Sequence, residues 1–134
     1  MAGDQKKSVA AACLHGAESG SMSFPQIVGM LMQAGFESYL IDYRRAVAIY
    51  YLPDGDSVEL ATHKVEQAVA PAFDAPAIRA AIKEAQQLAA GYTYNGFCQK
   101  TAAAGCAGYI VSFSGRRVLY FGRSAETHVE HFPD

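Results

Sequence analysis

The sequence contains no tryptophan, only three cysteines, and few charges: Asp, Glu, Lys and Arg make up 18% of its 134 residues. Cys13, Cys98 and Cys106 are an odd set without CxxC spacing. That argues against a disulfide framework and for free thiols in a reducing compartment. No apolar stretch approaches the length of a bilayer span. Residues 1–7 are polar, and the short Ala-Ala-Ala-Cys-Leu run that follows is a poor signal-peptide core. The expected location is therefore the cytoplasm. A net charge of −2 supplies no global field toward nucleic acid or an anionic membrane. Large apolar side chains are also scarce. The apolar set covers 51% of the chain, but 24 of those residues are alanine, and Leu, Ile, Val and Phe together number 29. One domain over residues 1–134 can bury a core on that stock; two independent domains cannot.

What is present is an internal correspondence. A shift of 70 residues lays Ala34-Gly35 on Ala104-Gly105, Tyr39 on Tyr109 and Tyr50-Tyr51 on Tyr120-Phe121. Phe24 falls on Tyr94, and Leu40-Ile41 on Ile110-Val111. Past the next turn a shift of 71 lays Val58-Glu59 on Val129-Glu130, as if the second turn carried one extra residue. The two units span residues 23–62 and 93–133, joined by a helical segment over 63–92.

Each unit opens with a capped helix. Ser23, with Gln26 three residues on, forms a capping box, and Pro25 is tolerated in the first turn. Phe24, Ile27, Val28 and Leu31 fall on one face, and Gly35 is the expected left-handed stop. In the second unit Thr93 is the cap, Tyr94, Phe97, Cys98 and Thr101 the stripe, and Gly105 the stop. Strands follow at 39–43, 46–52 and 57–62, then at 109–113, 117–121 and 128–132. They are aromatic and β-branched, with turns at Arg44-Arg45, Pro53-Asp54-Gly55-Asp56 and Ser114-Gly115-Arg116. Between the units Asp74 caps a helix with Ile78, Ala81, Ile82, Ala85 and Ala89 on one face, ending at Gly91. A further helix is expected over 8–17, with Val9, Cys13 and Ala17 inward. Residues 63–73 are ambiguous. Antiparallel strands with helices on one face make an α+β two-layer sandwich, built from two α-β-β-β repeats.

The run from Gln26 to Tyr39, with Ala-Gly ahead of the Tyr, is followed by Tyr50-Tyr51-Leu52-Pro53-Asp54-Gly55-Asp56. The chain then closes on Gly105-Cys106-Ala107-Gly108-Tyr109, Arg116 to Gly122, and His128 to Pro133. These motifs resemble the YdfO-like family over roughly residues 23 to 133. That family comprises small bacterial and prophage-encoded proteins of unknown function, some labelled phage envelope proteins. The resemblance implies a compact α+β fold and carries over no catalytic residue.

The densest polar group is His128, Glu130 and His131. In a strand His128 and Glu130 share one face while His131 takes the other, so the two histidines cannot easily chelate one metal. His128 with Glu130 suits an acid–base pair, or part of a metal site completed by Cys98 or His63. The plain alternative is a polar edge strand that discourages aggregation. Arg44, Arg45, Arg116 and Arg117 lie at the hairpin turns of both units and form candidate phosphate-holding tips, or simply exposed turns. Among the eight tyrosines, Tyr50, Tyr120 and Tyr94 are candidates to line a ligand cleft, or else half-buried sheet residues. Asp54-Gly55-Asp56 lacks the downstream ligands of a calcium loop. There is no phosphate loop, dinucleotide fingerprint or nucleophile elbow, and no cofactor is implied. The leading expectation is a non-enzymatic binding or regulatory module, self-associating as a homodimer, without membrane or nucleic-acid partners. The alternatives are a small hydrolase or transferase on His128 and Glu130, and a nucleic-acid adaptor through the arginine tips.

Overall fold

The structure, a computed structural model, describes residues 2–132; Met1, Pro133 and Asp134 lie outside the described residues, and with Pro133 the last position of the second expected unit. The described residues form four helices, α1 (Ala2–Ser19), α2 (Phe24–Gln33), α3 (Ala75–Gln86) and α4 (Tyr94–Ala103). Six strands accompany them: β1 (Ser38–Asp42), β2 (Val47–Tyr51), β3 (Ser57–Ala61), β4 (Cys106–Ser112), β5 (Arg117–Gly122) and β6 (Thr127–His131).

Local chemistry sets the helix ends. The Gln26 amide donates to Ser23 Oγ, and the Ser23 amide donates to Gln26 Oε1, which closes the expected capping box at 3.3 and 2.8 Å. Losing such a cap costs about 1 kcal/mol. The Gly35 amide bonds the Met32 carbonyl and the Phe36 amide bonds that of Leu31, with Gly35 at φ 96°. This is the left-handed stop expected for glycine. Thr93 and Asp74 cap α4 and α3 as expected. Helix α3, however, ends at Gln86 rather than Gly91. Its last carbonyls are taken by the Leu88 and Ala89 amides, and Leu88 itself adopts φ 48°. The helix α1 is longer than the expected 8–17, and Lys6 Nζ donates to the carbonyl of Ala34 at the end of α2.

All strand pairs are antiparallel, in the order β3-β2-β1-β4-β5-β6. The element order α-β-β-β thus occurs twice, and β1 and β4 meet at the centre of the sheet. The helices cover one face, so this is the expected α+β sandwich. Burial alternates along the strands: Tyr39, Ile41, Ala48, Tyr50, Tyr109, Val111, Val118 and Tyr120 point into the helix layer and are buried.

Three expectations need correction. The spacing between matched positions stays at 70. Val58 pairs with Tyr50 and His128 with Tyr120, because both turns close alike: the Leu52 amide bonds the Asp56 carbonyl, and the Gly122 amide that of Glu126, each at 2.9 Å. The segment 63–74 is not helical; it crosses the end of α4, where Ala70 and Asp74 amides bond the carbonyls of Ala102 and Ala104. Strand β4 begins at Cys106, three residues early, because a register shift between Cys106 and Gly108 lets the ladder continue. Two glycines are required there. A Cβ on Gly105 would collide with the Ala72 carbonyl, and one on Gly108 with that of Ile41.

Candidate functional site

The helix-covered face of the sheet is built from aromatic rings. Tyr39 lies 5.3 Å from Tyr50 and 6.5 Å from Tyr109, and Tyr109 lies 5.5 Å from Tyr120, centroid to centroid. Tyr50 and Tyr39 are cross-strand partners, as are Tyr120 and Tyr109, so each hairpin contributes one pair. Their hydroxyls find partners where the helices meet them. Thr101 donates to the Phe97 carbonyl, and its hydroxyl lies 2.9 Å from Tyr43 Oη. Tyr94 and Tyr109 share a hydrogen bond of 2.7 Å. Burial pushes the Tyr39, Tyr43, Tyr94 and Tyr109 hydroxyls well above the ordinary tyrosine range, and those of Tyr50 and Tyr120 upward too. Tyr50 and Tyr120 are therefore core residues at 2% and 6% exposure, and neither borders the hollows described below.

Burial also raises the thiols, Cys98 to about 12 and Cys106 to about 11. Cys13 shifts in the same direction for the same reason. All three cysteines are free and buried, which makes them inert packing groups at neutral pH.

His128 and Glu130 do share a face of β6, and their side chains meet at 2.6 Å. The face is the helix side, at the sheet edge, where His128 tilts against Tyr120. Neither Cys98 nor His63 completes a metal set: among the described residues no three His, Cys, Asp or Glu side chains converge. His63 pairs instead with Glu18, a contact 45 residues apart that no sequence pattern signals. One Glu18 oxygen accepts from the His63 amide and contacts Nδ1, each at 2.8 Å. His63 Nε2 is buried beside the Tyr94 ring without a hydrogen-bond partner among the described residues.

The arginine tips do not act together. Because β1 and β4 are antiparallel, Arg44-Arg45 and Arg116-Arg117 lie at opposite ends of the sheet. Strands of five residues separate them by about 17 Å. The Arg44 and Arg45 amides donate to Asp42, while the Arg116 guanidinium lies 6.0 Å over the Phe132 ring.

Shallow hollows lie among the described residues. One, about 400 Å³, lies between the start of α1 and the β2–β3 turn, where Lys6 and Lys7 face Asp54, Asp56 and Glu59. Another, about 100 Å³, is lined by Glu84, Tyr92, Thr93, Phe97 and Lys100 among others. Ser57 borders the first beside its carboxylates, and Thr93 in the second is already engaged as the cap of α4.

Among the described residues no helix lies on the opposite face of the sheet. In register across the six strands it presents Glu59, Ile49, Leu40, Ile110, Leu119 and Val129. Five of these six are large aliphatic residues and none is buried; Ile110, on a central strand, is 41% exposed. The period-two pattern of the strands was visible in the sequence, but which set would be covered was not.

A family model described as a protein of unknown function, DUF1398, matches residues 14–130, from within α1 into β6. The chain belongs to the DUF1398 family. No curated protein matches it. The family description brings no reaction, so the DUF1398 chain must be read from its own surface. No helix among the described residues is long and apolar enough to cross a membrane.

Proposed function

We propose that the protein is a non-enzymatic binding or regulatory module that acts as a homodimer, with the open face of its sheet as the working surface. The aliphatic row across the strands carries this reading. An antiparallel sheet with one face to water usually makes that face polar, whereas Leu40 and Ile110 place aliphatic side chains there, with no second layer among the described residues. Low charge and shallow hollows point the same way. The three free thiols favour a reducing compartment such as the cytoplasm. The YdfO-like resemblance, with its prophage association, agrees with a compact α+β module and adds no ligand. Light scattering on a dilution series tests the reading. The expected mass is twice 14.3 kDa at high micromolar concentration. Ile110→Glu should return it to the single-chain value with unchanged circular dichroism. A wild-type chain that stays monomeric throughout refutes the homodimer.

A second reading rests on the 2.6 Å His128–Glu130 contact: a histidine–carboxylate pair able to move a proton, in a small hydrolase or transferase. It predicts that His128→Gln abolishes a turnover that wild type shows on generic ester or phosphoester substrates. Equal inertness of the two proteins counts against it.

A further inference from the structure

The helices α2 and α4 open their halves of the chain in the same way and bury different chemistry. The 70-residue correspondence sets Phe24, Val28 and Leu31 of α2 against Tyr94, Cys98 and Thr101 of α4. The first three carry no hydroxyl or thiol, and each of the second three carries one. Helix α4 also meets Tyr43 on the sheet, and the position matched to Tyr43 is Phe113. An edge-on ring contact recurs at the start of each helix: Phe24 meets Phe132 at 5.8 Å, and Tyr94 meets His63 at 5.8 Å.

The polar helix loses less by leaving. Thr101 spends its hydroxyl on the Phe97 carbonyl of its own helix and on Tyr43, each at 2.9 Å. Tyr94 and Tyr109 hold each other at 2.7 Å, and the Cys98 thiol lies near the Tyr43 and Tyr94 hydroxyls. Water would replace these hydrogen bonds on opening, so their net contribution to closure is small. Lifting α2 would instead expose plain apolar side chains, with nothing in water to compensate. His63 adds to the imbalance. Its Nε2 is buried beside the Tyr94 ring without a hydrogen-bond partner among the described residues, and opening would give it one.

Anchoring along α4 is uneven. Its C-terminal end is pinned by the segment 63–74, through the Ala70 amide on the Ala102 carbonyl at 3.0 Å and the Asp74 amide on that of Ala104 at 2.7 Å. Toward its N-terminal end the hollow of about 100 Å³ lies between α3 and α4, bordered by Ala81, Ala89, Tyr92, Gly96 and Phe97. The chain enters α4 through Leu88 and Gly91, both left-handed at φ 48° and 80°. The Lys100–Glu84 ion pair that joins α3 to α4 is exposed, and such pairs contribute little.

We infer that the N-terminal half of α4 is a lid, hinged at its pinned C-terminal end, that opens locally while α2 stays closed. Opening bares the hydroxyls of Tyr43, Tyr94 and Tyr109 and the thiol of Cys98, a polar recess hidden in the closed chain. The lid lies on the covered side of the sheet and works whatever occupies the open side.

Two native thiols report on it. Cys98 lies on α4, and Cys13 lies on α1 with its Sγ 4.0 Å from the Ile27 carbonyl of α2; both are 1% exposed. The intact chain is alkylated with iodoacetamide, at concentrations where the rate is proportional to reagent, and each site is followed by mass spectrometry. Each rate is divided by that of the same thiol in the urea-unfolded chain. Cys98 should then react about tenfold or more faster than Cys13, because local opening costs less than global unfolding. Equal corrected rates, or a slower Cys98, mean that α4 leaves only with the whole fold and overturn the lid. As a second measurement, His63→Phe gives α4 the ring pair that α2 has and removes the unpaired nitrogen. Cys98 alkylation should slow by about threefold or more with Cys13 unchanged. An unchanged or faster Cys98 in this folded variant overturns the proposal.

Discussion

The two faces of this sheet are made by the same strands and face different environments. On one, Tyr39, Tyr50, Tyr109 and Tyr120 interlock beneath four helices and are nearly inaccessible. On the other, Leu40, Ile49, Ile110 and Leu119 stand in one row with no layer above them among the described residues. Aromatic residues with a polar tip occupy the covered side, where helix hydroxyls can meet them; the open side is aliphatic along its central row and carries Ser38, Asp42, Tyr51, Ser112, Arg117 and His131 in the rows beside it. The middle row of the open face is therefore apolar where such a face is usually polar. The difference teaches that the covered face holds the fold together, whereas the open face is where a partner gains the most.

The largest effect that separates the faces is alkaline unfolding. Burial raises the hydroxyls of Tyr39, Tyr43, Tyr94 and Tyr109 well above their ordinary value in the folded chain. The unfolded chain ionises first as pH rises past 10, the unperturbed tyrosine value. Stability is thus complete below that pH and falls above it, by about 1.4 kcal/mol per pH unit for each buried hydroxyl. Tyrosinate absorbance should appear together with loss of circular dichroism; independent, non-cooperative titration would break the comparison. Next in size, Tyr39→Ala should cost about 3–5 kcal/mol in urea unfolding, because a large ring leaves a cavity. Thr101→Val should cost about 1–3 kcal/mol by removing the Thr101 partner of the Tyr43 hydroxyl, and Tyr43→Phe in the same chain should recover much of it. Smallest is Ile110→Ser on the open face, expected within about 0.5 kcal/mol when measured on dilute, monomeric protein. A loss comparable to Tyr39→Ala there would mean the two faces are not so different.

Much of this was readable residue by residue. Ser23 with Gln26, Thr93, Asp74, Gly35 and Gly105 announce helix ends through local hydrogen bonding and backbone sterics. The six strands follow from aromatic and β-branched runs between turn residues. The misplacements arise where long-range contacts decide. Cys106 joins β4 because Ala107 accepts from the distant Tyr43 amide. Leu88 takes a left-handed conformation that its own chemistry disfavours, while Gly91 waits three residues beyond. Of the candidate site residues, His128 and Glu130 were paired by strand periodicity alone. His63 and Glu18 are brought together only by the fold, and Tyr50 and Tyr120 are buried by helices whose position no local rule reveals.

By itself, then, the sequence determined the α+β class, the helix caps and turns, the order of elements and the alternation along each strand. Those properties depend on neighbours within a few residues. Only the tertiary structure decided the strand order, the opposite placement of the two arginine turns, and which side of the sheet the helices cover. Strand order and coverage are set by burying the most apolar area at once, a sum over the whole chain that no short window contains.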